Sequence, residues 1–342
     1  MSELRQDPIS RDWVIIAPGR SARPKLLDAP KHVRVPGLKE ACPFEDPTRS
    51  GNEKIINAWP DQKKWRVLVM PNKYPAVSHD DVTTGKPLHA KGFHHGMYYA
   101  KTGVGEHDLI VTRDHDKNFA DIDLATAVKV FEFMQDHYHA AMKDGCSEYV
   151  VPFFNWGATA GASIWHPHYQ IMSLPAVPAH TVTSLENAKR YFAKHKRCIR
   201  CDVVTLEQRE GTRIVAENAG AIAIAPYAPK MQFEVAVMPK RHSSYFRDAS
   251  VTQLRDVAAV LQSVMKQLRK NANDPDLNFF IHDAPLGPKK YAYHHWHIEV
   301  LPRVSTPAGF EFSTGMYINT VPPEKAAEIL RGRVDTKSNE KH

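Results

Sequence analysis

Hydrophobic positions that alternate or recur every three to four residues divide the chain into two successive sets of predicted elements. In the first set the predicted strands cover 65–70, 106–112, 147–156 and 166–175, with an amphipathic helix at 121–145. In the second set the predicted strands cover 233–242, 277–285 and 294–303, with an amphipathic helix at 249–271. The pattern predicts an α+β fold, with helices packed on a mainly antiparallel sheet.

The two sets have the same order and similar spacing, which predicts an internal duplication. His115 precedes His166 by 51 positions, and His242 precedes His295 by 53. Each set ends on a strand that begins with a His-x-His motif. We therefore predict two repeated halves joined by a polar linker. The expected boundaries are 1–180 for the N-terminal half, 195–342 for the C-terminal half, and 178–196 for the linker.

The composition is that of a globular protein that can bury a large core. The 342 residues are 42% hydrophobic and 24% charged. No run of eighteen apolar residues is present, and charges occupy the N-terminal region where a signal peptide needs an apolar stretch. Four cysteines are too few for a disulfide scaffold in a chain of this length. These features predict a cytoplasmic protein that does not enter a membrane.

Charge and histidine content narrow the expected ligands. The net charge of +7 is spread along the chain without a long basic block. That distribution suits an anionic ligand such as a nucleotide or a sugar phosphate, and it argues against a zinc-knuckle protein that binds nucleic acid. The chain also contains 19 histidines, a residue that serves as metal ligand, nucleophile and proton carrier.

The segment HPHYQ at 166–170 is the sharpest candidate for chemistry. On a strand, alternate residues face one side, so His166, His168 and Gln170 should project together. The run NWGATAGAS at 155–163 lies just upstream, and its small residues would allow backbone amides to approach an anion closely. The combination predicts that a phosphate is held against His168.

Two cysteines at 198 and 201 have the spacing of a zinc knuckle. Thiolates suit Zn²⁺, and His242 and His295, at the repeated positions, are the natural further ligands. A redox-active CxxC motif is the competing interpretation of Cys198 and Cys201.

The first half carries a related but different set of candidate ligands. Cys42, His115 and His166 occupy the corresponding positions, and Glu45 stands where a second thiolate would be expected. A carboxylate oxygen also binds zinc, so these four residues predict a second, differently tuned metal site.

Together these segments resemble the galactose-1-phosphate uridylyltransferase branch of the histidine-triad superfamily over nearly the full chain. The resemblance rests on LRQDPISRDWVIIAPGRSARP near the start, CPF at 42–44, PNKYPA at 71–76, NWGATAGASIWHPHYQ at 155–170 and HHWHIEVLPR at 294–303. The C-terminal part, with its CxxC motif and GFEFSTGMYIN at 309–319, looks more like the plant ADP-glucose phosphorylase type. The resemblance implies a duplicated histidine-triad-like fold.

The resemblance also implies roles for individual residues. His168 matches the catalytic nucleophile that takes the nucleotidyl group, and the eight Cys, Glu and His positions above match zinc sites or their substitute. The positions that match substrate-binding groups are Arg20, Arg23, Asn72, Asn155, Gly161, Ser163, Gln170 and Glu311. Two departures matter. Glu45 replaces a cysteine, and Tyr317 replaces a glutamine that contacts the sugar, so galactose specificity does not carry over.

The implied reaction is a double displacement through a nucleotidyl-histidine. A nucleotide sugar or other nucleotide is the expected donor, and the acceptor carries a phosphate. The first expectation is a UDP-glucose–hexose-1-phosphate uridylyltransferase. The alternatives are an adenylyltransferase that uses phosphate as acceptor, on ADP-glucose or adenylyl sulfate, and a hydrolase in which water replaces the acceptor. Zinc is the expected cofactor, and the sequence leaves a homodimer open.

Overall fold

A computed structural model describes residues 1–22, 34–48, 51, 54–81 and 84–332. The elements before residue 178 are β1 Glu3–Gln6, β2 Trp13–Ile16, β3 Asn57–Trp59, β4 Val67–Pro71, β5 Gly92–His95, β6 Tyr98–Lys101, β7 His107–Thr112, α1 Leu124–Asp144, β8 Tyr149–Trp156 and β9 His168–Leu174. The later elements are α2 Ala179–His195, α3 Ile199–Glu210, β10 Ile214–Glu217, β11 Ala221–Ile224, β12 Val235–Pro239, α4 Val251–Asn271, β13 Leu277–His282, β14 His297–Pro302, α5 Gly309–Thr314, β15 Tyr317–Asn319 and α6 Pro323–Leu330.

Ten strands form one sheet, in the order β10-β11-β12-β14-β13-β8-β9-β7-β4-β3. Every neighbouring pair in this sheet is antiparallel. From the central pair outward, β8, β9, β7, β4 and β3 correspond in turn to β13, β14, β12, β11 and β10. The helices α1 and α4 occupy the same place in the two sets. The predicted duplication and the mainly antiparallel α+β fold are confirmed.

The two halves share one core on the helix-bearing face of the sheet. Buried aromatic rings from both halves meet there, with Phe119 5.6 Å and Phe154 5.0 Å from Phe279 between ring centroids. The ends of α1 match the sequence signals. The Asp123 side chain accepts the Thr126 N–H at the N-terminus, and left-handed Gly145 follows the last turn. Because the sheet and core are continuous, the division at 180 and 195 stays a prediction.

The polar stretch between the halves differs from the expected linker, because 179–195 form α2. Its two buried side chains, Leu185 and Ala188, are three residues apart and so lie on one helix face. They pack in a small cluster with Ile9 and Tyr293. A narrow apolar stripe is sufficient to dock a helix that is otherwise polar, and composition alone concealed it.

A separate three-stranded sheet, in the order β1-β2-β15, joins the two ends of the described chain. β15 runs parallel to β2, with Ile318 opposite Ile15. Among the helices of the described ranges, none is long and apolar enough to cross a membrane. The cytoplasmic location, the homodimer and the absence of a nucleic-acid partner stay predictions.

Candidate active site and metal centres

His168 opens β9 on the face of the sheet opposite α1. Its neighbours Tyr169 and Ile171 alternate to the other face and are fully buried in the shared core. His168 and Gln170 lie opposite Val111 and Leu109 of β7. The predicted strand begins two residues later than expected, so His166 lies before β9 rather than on it. The alternation nevertheless places His168 and Gln170 on one side, as predicted.

The ring of His168 is buried and its tautomer is set. The residue is 7% exposed, and Phe44 packs against the imidazole with ring centroids 5.2 Å apart. Nδ1 lies 3.0 Å from the backbone oxygen of His166. Because a carbonyl can only accept, Nδ1–H donates and the lone pair of the neutral ring belongs to Nε2. Burial lowers the pKa of His168, which favours this neutral, nucleophilic form.

His107, a residue that the sequence analysis missed, orients the side chain of Gln170. His107 Nδ1 accepts the Ala76 N–H at 3.2 Å, so Nε2–H is free to donate to Gln170 Oε1, at 2.9 Å. The predicted nucleoside contact Asn72 lies beside this ring, with Nδ2 3.1 Å from Nε2, but both groups are donors in this tautomer, so this approach is not a hydrogen bond. The Gln170 amide group is thereby left as a donor toward a ligand. The only sequence signal was a histidine at the start of a predicted strand.

The small-residue segment between β8 and β9 is shaped by Asp276, another residue that the sequence did not single out. Asp276 accepts the backbone N–H of Thr159 at 2.9 Å and its hydroxyl at 2.7 Å, and Arg34 Nε donates to it at 2.8 Å. Gly157 has a φ of 87°, and a Cβ there would overlap the Asp276 carboxylate. A glycine is therefore required at this position.

The predicted phosphate contacts Asn155, Gly161 and Ser163 differ in their hydrogen bonds and in their exposure. Asn155 Oδ1 accepts a hydrogen bond from Asn278 Nδ2 at 2.8 Å. Gly161 has a φ of 87°, and both Gly161 and Ser163 are exposed. Asn155 is therefore fixed from the second half of the chain, while Ser163 is accessible to a ligand.

The first candidate metal centre brings together Cys42, Glu45, His115 and His166. Glu45 Oε1 lies 3.1 Å from His115 Nδ1 and 3.5 Å from His166 Nδ1, and Cys42 Sγ lies 3.6 Å from His166 Nδ1. Ligand atoms about 2.0–2.3 Å from a tetrahedral ion lie roughly 3.3–3.7 Å apart, so these separations fit a bound metal.

The outer nitrogens of both imidazoles face backbone carbonyls. His166 Nε2–H donates to the Thr112 oxygen at 2.6 Å, and His115 Nε2–H donates to the Gly37 oxygen at 3.1 Å. Each Nδ1 therefore presents a lone pair to the Glu45 carboxylate, an arrangement that needs a cation or a proton between the acceptors. The donor set fits a divalent metal ion.

The second candidate metal centre lies at the equivalent position of the other half. The ligand atoms of Cys198, Cys201, His242 and His295 all lie within 4.8 Å of one another. Cys201 Sγ is 3.3 Å from His242 Nδ1 and 3.4 Å from His295 Nδ1. Hydrogen bonding with Cys201, His242 and His295 lowers the pKa of the Cys198 thiol, which provides a thiolate for a metal. A purely redox CxxC does not need the two histidines.

Two predicted substrate residues lie together at another part of the molecule. Arg20 is exposed and Glu311 is partly buried, and Glu311 Oε2 accepts the Ala308 N–H at 2.9 Å. That hydrogen bond, with a weaker contribution from Arg20, lowers the pKa of Glu311. Within the ranges that the structure describes, no contact links either residue to His168, so their substrate roles stay predictions. Arg23 lies outside the described residues.

The second half repeats the geometry of His168 in different surroundings. His297 Nδ1 lies 3.3 Å from the His295 oxygen, and in the same way His168 Nδ1 lies 3.0 Å from the His166 oxygen. However, Glu299 replaces Gln170, and His282 stacks on His297 with ring centroids 4.5 Å apart. Residues of α2 and α3 enclose this face around a cavity of about 520 Å³. The cavity lies away from His168 and belongs to a modified copy of the site.

Comparisons with known proteins define the class of the chain. The family model described as galactose-1-phosphate uridyl transferase, N-terminal domain, matches residues 1–178, and a domain of unknown function, DUF4921, matches 94–342. The chain is 30% identical to the ADP-glucose phosphorylase of Arabidopsis thaliana over 334 residues, which cover 96% of this chain and 92% of that protein. It is 26% identical to the galactose-1-phosphate uridylyltransferase of Thermotoga maritima, over 97% of this chain and 98% of that one.

A solved structure agrees with these relationships. The Arabidopsis thaliana ADP-glucose phosphorylase with bound ADP-glucose superposes with a TM-score of 0.81 at 28% identity, covering 98% of this chain and 99% of that one. The chain belongs to the galactose-1-phosphate uridylyltransferase family, as its motifs predicted, and has relatives of the ADP-glucose phosphorylase type. It is a nucleotidyl-transferring enzyme.

Proposed function

We propose that the enzyme transfers a nucleotidyl group in two steps through His168. In the first step, His168 Nε2 attacks the α-phosphorus of a nucleotide-sugar donor. The N–P bond forms as the bond to the bridging oxygen breaks, and a sugar 1-phosphate leaves. The observation that carries this proposal is the 3.0 Å contact from His168 Nδ1 to the His166 oxygen, which leaves the lone pair on Nε2.

In the second step, a phosphate oxygen of the acceptor attacks the nucleotidyl-histidine. The N–P bond breaks, the electron pair returns to Nε2, and His168 is regenerated. The Gln170 amide, oriented by His107 at 2.9 Å, and the backbone amides near Ser163 would donate hydrogen bonds to the phosphoryl oxygens. An imidazole is a good nucleophile and a good leaving group, so two easier substitutions replace one difficult one.

We also propose that both metal centres hold zinc. When bound, zinc fixes its ligands in place, because four protein ligands leave no open coordination position for substrate. In the first centre this fixes His166, whose carbonyl orients the His168 ring. The support is the donor chemistry of each set and the spacing of its atoms.

Glu45→Ala should lower the metal content at the first centre. Glu45 is the group that approaches both His115 and His166, and removing it leaves three ligands. We expect about one zinc less per chain, measured by elemental mass spectrometry of the purified protein. Glu40→Ala is the matched control, because Glu40 is exposed nearby and contacts neither histidine. An unchanged zinc content in Glu45→Ala would exclude Glu45 as a ligand.

Two substrate pairs are compatible with this mechanism. The leading pair is UDP-glucose with a hexose 1-phosphate, since several curated relatives are named galactose-1-phosphate uridylyltransferases. The second pair is ADP-glucose with inorganic phosphate. It is favoured by the 30% identity and the TM-score of 0.81 to the Arabidopsis enzyme, and by Tyr317 at the position of the sugar-contacting glutamine.

A donor screen distinguishes the two pairs. UDP-glucose, ADP-glucose and adenylyl sulfate are each supplied with galactose 1-phosphate or with phosphate, and the products are separated by anion-exchange chromatography. The leading pair predicts UDP-galactose and glucose 1-phosphate, and the second predicts ADP and glucose 1-phosphate. If the enzyme turns over ADP-glucose with phosphate but does not turn over UDP-glucose, the leading pair is wrong and the mechanism still holds. Release of free nucleoside monophosphate without an acceptor would instead indicate a hydrolase.

A further inference from the structure

A cluster of five titratable side chains lies at the start of β7 and beside α1, apart from both candidate metal centres. His79 comes from a loop, Glu106 immediately precedes β7, Asp108 lies on β7, and His137 and Asp144 come from α1. We call this group the Glu106 cluster. The ligand atoms of Glu106, Asp108 and His137 all lie within 4.8 Å of one another. Neither the proposed reaction nor the family motifs use these residues.

The imidazole of His137 is the buried centre of the Glu106 cluster. The residue is 7% exposed, and its Nδ1 lies 3.1 Å from Asp108 Oδ2. Its Nε2 is buried and has no hydrogen-bond partner among the described residues, and it faces Glu106 Oε2 at 3.4 Å. With Nδ1–H donating to Asp108, Nε2 carries a lone pair directed at a carboxylate. An unpartnered buried nitrogen opposite a carboxylate oxygen calls for a bound cation.

The partly exposed side of the cluster supplies further ligands. His79 Nε2 lies 3.8 Å from Glu106 Oε1 and 3.9 Å from Asp144 Oδ2. In a tetrahedral zinc site with bonds of about 2.0–2.1 Å, the ligand atoms lie roughly 3.3 Å apart. The two His79 separations exceed this value by about 0.5–0.6 Å, a difference that rotation of the partly exposed His79, Glu106 and Asp144 side chains can close.

We propose that the Glu106 cluster binds a divalent transition metal, with Zn²⁺ the best match to two imidazoles and two carboxylates. The first two ligands are His137 Nε2 and Glu106, and His79 and Asp144 complete the set after their side chains rotate toward the ion. Asp108 is the positioning residue, because it fixes the His137 tautomer as carboxylates do behind metal-bound histidines. The site is separate from the two family metal centres, and it does not depend on the proposed reaction.

A metal at this site would connect the His79 loop and α1 to β7, the strand that carries His107. His107 lies between Glu106 and Asp108 and points to the opposite face, where it contacts Gln170 at 2.9 Å. A metal held behind this strand would fasten the His79 loop and α1 to the residues that orient Gln170.

The test measures zinc per chain after the folded protein, as purified, is dialysed against micromolar ZnCl₂ and freed of excess metal. Glu106→Gln and His137→Gln should each carry about one zinc less than the wild type. His139→Gln should match the wild type, since His139 is exposed on the same helix, outside the cluster. Asp108→Asn should bind this zinc about 10- to 100-fold more weakly.

Equal zinc content in the wild type, Glu106→Gln and His137→Gln would overturn the proposal. That result would identify the cluster as an imidazolium held between two carboxylates. If His137→Gln does not fold, Glu106→Gln and His79→Gln decide, because their side chains are 30% and 36% exposed and their replacement leaves the core intact. The family metal centres are unaltered in all of these variants, so their occupancy cancels in the comparison.

Discussion

The His168→Ala enzyme is expected to lose nucleotidyl transfer by about 10⁴-fold or more in kcat/KM. Among the described residues, the neighbouring His166 cannot replace the nucleophile, because its Nδ1 faces Glu45 and its Nε2 donates to the Thr112 oxygen. A loss of this size corresponds to about 5.5 kcal/mol of transition-state stabilisation. The measurement is steady-state turnover with the donor identified by the screen, on protein whose folding has been checked by circular dichroism.

His297→Ala is the matched control for this loss. His297 occupies the equivalent position in the second half, and its Nδ1 makes the same contact to the residue two before it. It lines the cavity beside α2 and α3 and stacks on His282, whereas Phe44 packs against His168. Activity within a few-fold of the wild type is expected for this variant. Equal losses in the two variants would mean that the catalytic half has been assigned incorrectly.

Cys201→Ser is expected to release metal from the second centre and to destabilise the protein strongly. Cys201 contacts both histidine ligands, and the centre ties the start of α3 to the segments before α4 and before β14. Structural zinc contributes directly to folding, so we expect about one zinc less per chain and a fall in Tm on the order of 10 °C. Elemental mass spectrometry and thermal unfolding of the same samples measure the two effects.

Cys146→Ser provides the control for the loss of a thiol. Cys146 is a free cysteine outside both sets of predicted ligands. It should keep the metal content and the Tm of the wild type. Recovery of metal-free Cys201→Ser protein with an unchanged Tm would show that this centre has no structural role.

The fold could be predicted from the sequence because the duplication presents the signals for the helix and its neighbouring strands two times. The helices 121–145 and 249–271 and the strands around them recur in order, and the sheet then places equivalent strands at equivalent positions. The helix α2 was missed, since only Leu185 and Ala188 of its side chains are buried and the surrounding residues are polar. A helix held by so narrow a contact leaves almost no periodic signal.

The site was predicted where its residues are neighbours in sequence or carry a metal-ligand spacing. The two metal sets and the pair His168 and Gln170 met these conditions. His107 and Asp276 did not, because each acts on a segment far away in sequence, Asp276 on Thr159 at 2.7 Å for example. Such residues become apparent only when the strand register is known. The positions of Arg20 and Glu311 in the folded protein could not be predicted for the same reason, because the motifs that they match give only their places in the sequence.

The central claim is the covalent intermediate on His168, and intact-protein mass spectrometry tests it most directly. Wild-type enzyme mixed with donor and no acceptor should gain the mass of one nucleoside monophosphate. The adduct should be labile in acid and stable in alkali, as a phosphoramidate is. It should be absent from His168→Ala and present in His297→Ala. A wild-type enzyme that turns over with both substrates yet never carries the adduct, or a His168→Ala enzyme that carries it normally, would contradict the account.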